Sequence, residues 1–144
     1  MGLNSKIYYY TSYCNFLRKS TNKHGVHSPF VYDYVTKGLY KNVNVPGIKR
    51  EQICAKIATY FTPKFTIKKV DLNHISNLEL ATLLSQSHST TLLLLTNIYK
   101  SNQATQIWKQ TLLHEKVTVS IDHFYCGLLF FRKEQAKEHF IIRG

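Results

Sequence analysis

The chain has 144 residues, of which 44% are hydrophobic, and a formal net charge of +11. This length and apolar content suit one folded domain and exclude a disordered chain. No run of about 18 apolar residues occurs, and the N-terminus lacks the apolar segment of a signal peptide, so we expect no membrane association. Cys14, Cys54 and Cys126 are widely spaced and odd in number. This pattern predicts reduced thiols in a cytoplasmic protein.

The positive charge is concentrated in the first half of the chain. Twelve Lys and Arg residues in positions 1–70 are opposed only by Asp33 and Glu51, whereas positions 71–144 are nearly balanced. Such asymmetry favours an anionic partner, either a nucleic acid or an acidic protein. The alternative is a lysine-rich surface that is simply solvated. The candidate anion-binding residues are Arg18, Lys19 and Lys23.

The first third of the chain is predicted to be helical. Helical spacing over residues 6–19 places four apolar side chains on one face, namely Ile7, Tyr10, Cys14 and Leu17. A turn at residues 24–27 follows. Ser28 is a good N-cap and Pro29 suits the first helical position, so a second helix is expected over residues 29–40.

A linker and a third helix complete this region. Pro46 and Gly47 punctuate a linker over residues 42–47. The helix over residues 49–61 aligns three apolar side chains and ends before Pro63, which cannot continue a helix. Those side chains are Ile53, Ile57 and Phe61.

After Pro63 the pattern alternates between strands and helices. Strands are predicted over residues 65–72, 91–95, 116–121, 127–132 and 139–143. Helices are predicted over residues 77–85 and from the cap Ser101 through Leu112. This alternation predicts an α/β fold with parallel pairing that finishes in antiparallel C-terminal strands. We divide the chain into a basic helical N-terminal region, residues 1–48, and an α/β domain, residues 49–144.

Three sequence blocks resemble one known family. Residues 24–32 read HGVHSPFVY, residues 60–63 read YFTP, and residues 117–135 read VTVSIDHFYCGLLFFRKEQ. Together they resemble class I S-adenosylmethionine-dependent methyltransferases of the bacterial O-methyltransferase-like kind. The resemblance implies a Rossmann-like sheet, and it covers about two thirds of the chain.

The cofactor-binding half of that family has no counterpart in this sequence. The family's first strand leads into an E-x-G-x-x-x-G-like loop, because the backbone there must turn sharply against the cofactor. The six glycines of this chain include no two that are close together. The resemblance therefore implies an internally truncated, reduced Rossmann-like sheet, and we expect no bound cofactor.

The centre of the chain resembles the family's fourth and fifth strands. Residues 70–74 read VDLNH where the family has D-G-N-H, and Thr96 and Asn97 replace two aspartates after the next strand. In cation-dependent members, carboxylates here hold a hard divalent ion, which prefers several oxygen ligands. With one carboxylate left we expect no metal. The remnant site comprises Asp71, Asn73, His74, Thr96 and Asn97. For Asp71 alone, an N-cap or a strand-end polar contact is favoured.

Two histidine-containing motifs admit a second interpretation. The N-terminal motif comprises His24, Gly25, His27, Ser28 and Pro29. Its histidines could bind metal or exchange protons, but a turn histidine that bonds backbone carbonyls and fixes a helix junction is favoured. Asp122 and His123 resemble an acid–base pair, yet neighbours in a strand point to opposite faces and cannot easily act on one atom.

Two function classes remain at this point. The first is a degenerate, non-catalytic methyltransferase-like protein that binds a nucleic acid or protein partner. The second is an active methyltransferase that uses S-adenosylmethionine in an altered or shared site. A decayed gene product is a third interpretation. Loss of strands one to three would also leave the strand over residues 65–72 at a sheet edge, which favours a homodimer.

Overall fold

The computed structural model describes residues 2–42, 44–133 and 135–144 and contains five α-helices and five strands within them. The helices are α1 (Leu3–Lys19), α2 (Pro29–Tyr34), α3 (Lys49–Phe61), α4 (Asn77–Gln86) and α5 (Asn102–Leu112). The strands are β1 (Thr66–Asp71), β2 (Thr91–Thr96), β3 (Val119–Asp122), β4 (Cys126–Phe130) and β5 (Glu138–Ile141). In this part of the chain, no helix is both long and apolar enough to cross a membrane.

Serine side chains begin three of the helices. The hydroxyl oxygens of Ser28, Ser76 and Ser101 accept backbone N–H groups at 3.4, 3.1 and 3.1 Å, at the starts of α2, α4 and α5. Pro29 occupies the first turn of α2, where a missing N–H has no cost. The predictions for Ser28, Pro29 and Ser101 are confirmed, and Ser76, rather than Asp71, caps α4.

The second predicted helix is regular only in its first half. From Val35 to Leu39 the chain widens into a π-helical segment that continues α2. This segment brings Gly38 so close to the ring of Tyr60 that a Cβ at position 38 would lie 2.9 Å from the Tyr60 Cγ. The widened turn and the glycine together allow the π-helical segment to approach α3 closely.

The five strands form one mixed sheet in the order β1-β2-β4-β3-β5. β1 and β2 are parallel, and β4 is antiparallel to both of its neighbours, β2 and β3. All six residues of β2 are buried, as the continuous apolar run predicts for a strand covered on both faces.

The prediction that both C-terminal strands pair antiparallel is right for β4 and wrong for β5. β5 pairs parallel with β3, with Val119 opposite Glu138 and Asp122 opposite Ile141. β3 and β5 both run in the direction opposite to β4. Because β5 pairs with β3 rather than with β4, the pairing is parallel.

Helices cover both faces of this sheet. On one face, α2, the π-helical segment and α3 contribute Tyr34, Leu39, Ile53, Ile57 and Phe61, all essentially inaccessible to solvent. On the other face, α4 and α5 pack through Leu80, Leu84, Ala104 and Trp108. Side chains of the basic region before residue 49 and of the sheet are therefore buried in one apolar core. Burial of this apolar surface stabilises the fold.

The first helix packs through a different face from the one its apolar spacing indicated. Tyr9, Tyr13 and Phe16 surround the ring of Phe124, with ring centroids 5.0, 4.9 and 5.6 Å away. Ile7 and Tyr10 are 55% and 67% exposed. Aromatic rings bury more area than Ile or Cys, so the aromatic face makes the contact with Phe124 in the turn between β3 and β4.

Candidate functional site

A cleft of about 570 Å³ lies at the carboxyl ends of β1 and β2. Asp71 and Thr96 are the last residues of these two parallel strands, so their side chains meet at one edge of the sheet. We call this the strand-end cleft. Its lining residues are Arg50, Glu51, Cys54, Lys69, Asp71, Thr96 and Asn97.

Asp71 is held by a network of hydrogen bonds inside the cleft. Its Oδ1 accepts the side-chain amide of Asn97 at 2.8 Å and the backbone N–H of Asn73 at 2.9 Å. Partial burial raises the pKa of Asp71, but these hydrogen bonds outweigh it and hold the pKa below its ordinary value. His74 Nε2 lies 3.7 Å from Asp71 Oδ2. The expected strand-end polar contact is confirmed.

The structure brings together the five residues of the remnant site, but they do not offer a metal's ligand set. Thr96 directs its hydroxyl to the carbonyl of Val70 at 3.4 Å. Asn97 adopts a left-handed backbone conformation with φ of 63°, which asparagine tolerates. Within the residues that the structure describes, no group of three or more His, Cys, Asp or Glu side chains could hold a metal ion.

The cleft also contains a thiol that the sequence reasoning did not single out. Cys54 lies one turn after Arg50 on α3, and Lys69 projects from β1 into the same cleft. A hydrogen bond from the Cys126 thiol lowers the pKa of Cys54, burial opposes this, and the charges of Lys69 and Arg50 lower it further. An Arg and a Cys four residues apart on one helix were the available sequence signal.

A second cleft, of about 420 Å³, lies between α1 and α5. At its base, Tyr99 donates its hydroxyl hydrogen to Asp122 Oδ2, and the backbone N–H of Phe124 donates to Asp122 Oδ1 at 2.7 Å. Burial raises the pKa of Asp122 to about 6 despite these hydrogen bonds. Lys19 and Lys109 also line this α1–α5 cleft, which was not foreseen from the sequence.

Asp122 and His123 point in different directions, as predicted for neighbours at a strand end. His123 Nδ1 lies 2.8 Å from the carbonyl oxygen of Ile142, and Nε2 lies 2.8 Å from the Tyr34 hydroxyl. Because a carbonyl only accepts, Nδ1 carries the hydrogen and Nε2 accepts from Tyr34. Complete burial lowers the pKa of His123 to about 4. The imidazole is a neutral core group rather than the partner of Asp122.

The N-terminal motif forms a tight junction without help from its histidine rings. The Asn22 side chain accepts the His24 backbone N–H at 3.0 Å. A Cβ at Gly25 would lie 1.9 Å from Thr21 Oγ1, so the turn needs a glycine. His24 and His27 are exposed, and neither ring bonds a backbone carbonyl within the described residues. The junction is fixed by Asn22, Gly25 and the Ser28 cap.

The three candidate anion-binding residues lie close in sequence around the end of α1. Arg18 and Lys19 belong to its last turn, and Lys23 begins the 3₁₀ turn Lys23–Gly25. All three are exposed. Arg18 donates to the Asn15 side chain at 2.8 Å, which orients its guanidinium along the helix surface.

Comparison with known proteins gives no assignment. No protein-family model, no curated protein and no solved structure matches this chain.

Proposed function

We propose that this chain is a non-catalytic binding protein for an acidic protein partner, built on a truncated methyltransferase-like fold. The observation that carries the proposal is an apolar stripe on the outer face of α1. It combines Leu3, Ile7, Tyr10 and Leu17, which are 74%, 55%, 67% and 40% exposed. Contiguous exposed apolar side chains on one element are typical of an interaction surface. We call these four residues the α1 stripe.

The charge around the stripe indicates the sign of the partner. α1 carries Lys6, Arg18 and Lys19 and has no acidic residue. A partner that covers the stripe would bring its own side chains beside these cations, which favours carboxylates. A nucleic acid is the second candidate, because the net charge of +11 attracts phosphates. It is placed second because the apolar side chains of the stripe cannot bind phosphates.

Two features of the sheet support the family part of the proposal. β1 is an edge strand, as expected if the three family strands beyond it are missing. β4 is antiparallel and inserted between β2 and β3, which resembles the antiparallel last strand of the class I methyltransferase sheet. Both features concern strand order and carry no information about catalysis.

The absence of catalysis is proposed from the sequence of the cofactor-binding elements. No glycine occurs between residues 66 and 101, the segment that contains β1 and β2. A methyl donor with a nucleotide-like half needs a close backbone approach, which glycine supplies. The strand-end cleft instead presents the charged side chains of Arg50, Glu51 and Lys69.

An active methyltransferase is the alternative, and one observation favours it. The strand-end cleft lies at the carboxyl ends of parallel strands, where open α/β sheets bind their ligands. Calorimetric titration with S-adenosylmethionine and its demethylated product distinguishes the two. We expect neither ligand to bind with a dissociation constant near or below about 10 µM. A saturable one-site isotherm in that range would favour the active methyltransferase.

Three fluorescent probes test the partner class at low salt. They are an acidic amphipathic peptide with leucines at helical spacing, polyglutamate, and single-stranded RNA. We expect the amphipathic peptide to bind most tightly, because it alone satisfies both the charge and the stripe. Equal binding of all three probes would show that binding depends on charge alone and not on the stripe. The absence of any binding would contradict the proposal.

Matched variants then separate charge from apolar contact. Ile7→Ser with Tyr10→Ser should remove the preference for the amphipathic peptide while leaving polyglutamate binding unchanged. Arg18→Glu, Lys19→Glu and Lys23→Glu together should weaken all three probes and flatten their salt dependence. The control makes the same charge change at three exposed positions elsewhere, Lys41, Lys64 and Lys133.

A further inference from the structure

The α1–α5 cleft contains a carboxylate that is buried without a positive charge beside it. Asp122, the last residue of β3, lines the cleft and is 2% exposed. Its two oxygens accept hydrogen bonds from the Tyr99 hydroxyl and the Phe124 backbone N–H, and neither donor is charged. Among the residues that the structure describes, no salt bridge reaches Asp122. Since buried carboxylates are normally paired with cations, a ligand that brings a cation to Asp122 would be stabilised there.

The walls of the cleft are largely aromatic and apolar. Tyr99 lies at its base, where its ring stacks on Phe124 with centroids 5.0 Å apart and planes 11° from parallel. The volume of about 420 Å³ suits one small molecule. The walls therefore favour a ligand with one flat, apolar ring. The aromatic and aliphatic wall residues contributed by α1 and α5 are Tyr8, Phe16, Trp108 and Leu112.

Two lysines line the same cleft from its helical sides. Lys19 lies in the last turn of α1, and Lys109 lies in α5. Both are exposed, so the positive charges lie nearer to solvent than the buried carboxylate of Asp122. His139 of β5 also lines the cleft, but partial burial lowers its pKa, so its ring is neutral near pH 7. The cleft is therefore negative inside and positive toward solvent.

We propose that the α1–α5 cleft binds a small aromatic zwitterion, with its ammonium group on Asp122 and its anionic group on Lys19 and Lys109. Each oxygen of Asp122 can accept a second hydrogen bond, so the ammonium group can donate without displacing Tyr99. Hydrogen bonds between charged groups are stronger than those between neutral groups. The opposite charges of the ligand match the two ends of the cleft, and its ring fills the aromatic space between them.

This proposal does not depend on the partner binding proposed above. Asp122 and Lys109 belong neither to the α1 stripe nor to the group of cations formed by Arg18, Lys19 and Lys23. Substitutions at these two positions therefore test the cleft alone. Trp108 is the only tryptophan of the chain and lines the cleft, so its fluorescence reports a ligand bound at this place.

Three matched probes test the ligand class in calorimetric titrations of the unmutated chain. 4-(Aminomethyl)benzoate has an ammonium group, a ring and a carboxylate, benzylamine lacks the carboxylate, and 4-methylbenzoate lacks the ammonium group. At about pH 7.5 the Asp122 carboxylate is ionised, since its pKa is about 6. We expect 4-(aminomethyl)benzoate to bind roughly tenfold or more tightly than either other probe and to change the Trp108 fluorescence. A smaller ratio, no binding, or binding that leaves this fluorescence unchanged would overturn the proposal.

Substitutions at the two ends of the cleft then test each contact. Asp122→Asn should weaken 4-(aminomethyl)benzoate roughly tenfold or more without weakening 4-methylbenzoate, because only the ammonium group loses its partner. Lys109→Met should weaken 4-(aminomethyl)benzoate severalfold and leave benzylamine unchanged. Lys64→Met, at an exposed position that does not line the cleft, is the control and should change none of the three affinities.

Near-UV circular dichroism checks that each variant is folded. Lys109 is exposed, so its substitution tests the site even if Asp122→Asn does not fold. A folded Asp122→Asn variant that binds 4-(aminomethyl)benzoate as tightly as the unmutated chain would overturn the proposal. So would equal effects of Lys109→Met and Lys64→Met on that probe.

Discussion

Asp122 and His123 are adjacent, and both are buried, yet acid acts on them in opposite ways. The pKa of His123 is about 4 in the folded chain, below its ordinary 6.5, because burial disfavours the imidazolium. This group contributes stability above pH 6.5 that is lost as the pH falls toward 4. The loss is on the order of 3 kcal/mol.

Asp122 offsets this loss over nearly the same interval. Its pKa of about 6 lies above the ordinary 3.8, because burial disfavours the carboxylate. The folded state therefore takes up a proton before the unfolded chain does, so the contribution of Asp122 to stability increases as the pH falls from 6 to 3.8. The two residues together should flatten the acid side of the stability profile.

The substitution Asp122→Asn isolates the two contributions. An asparagine side chain would keep a carbonyl oxygen to accept from Tyr99 or Phe124 but could not titrate. Relative to the unmutated chain, the free energy of unfolding of the variant should fall by about 3 kcal/mol between pH 7 and pH 4. Urea unfolding at several pH values measures it. Parallel pH profiles for the two chains would contradict the shifted pKa of Asp122.

At the scale of elements, the face of α1 that its apolar spacing indicates differs from the face that packs against the rest of the chain. The four residues of the α1 stripe, together with Cys14, repeat at intervals of four and three along one side of the helix. Tyr9, Tyr13 and Phe16 each precede a residue of this row by one position, so they lie about 100° around the helix axis from it. These three rings contact Phe124. The sequence permits two apolar faces, and only the tertiary contact selects one.

Serine substitutions on the two faces of α1 should have unequal effects on stability. Tyr13→Ser and Phe16→Ser remove rings from the cluster around Phe124, so each should lower the free energy of unfolding by about 1–3 kcal/mol. Ile7→Ser and Leu17→Ser change exposed side chains and should stay within about 0.5 kcal/mol. Chemical denaturation of the four variants gives the comparison, and equal losses on both faces would mean that the stripe is covered in solution.

At the scale of the whole molecule, β1 is an open edge protected by lysines. Lys68 and Lys69 are exposed on this strand, as on edges that resist pairing. The N–H groups of Thr66 and Leu72 point to the β2 side, so odd-numbered residues such as Lys69 direct theirs outward. Because α2 and α3 cover one sheet face within the chain, burial alone does not require a second copy.

Pairing of two copies through β1 therefore remains a prediction that depends on backbone hydrogen bonds. It predicts a mass of two 16.8 kDa chains in light scattering at high concentration. Lys69→Thr should strengthen the dimer, since it removes a charge and keeps the outward N–H. Lys69→Pro should abolish it, because proline removes that donor without disturbing the pairing with β2. A single-chain mass for the unmutated protein and for Lys69→Thr would contradict pairing at this edge.

Local chemistry in the sequence was enough to predict the helix starts, the fully buried strand and the strand-end contact of Asp71. These features act through residues that are near neighbours in the chain, so they can be recognised from the sequence alone. They are the serine caps, the proline in a first helical turn and the continuous apolar run. The direction of β5 and the face that α1 buries were decided only by tertiary structure. So was the hydrogen bond between Tyr34 and His123, because these contacts join residues far apart in the chain, and which partner an element finds depends on the packing of all the others.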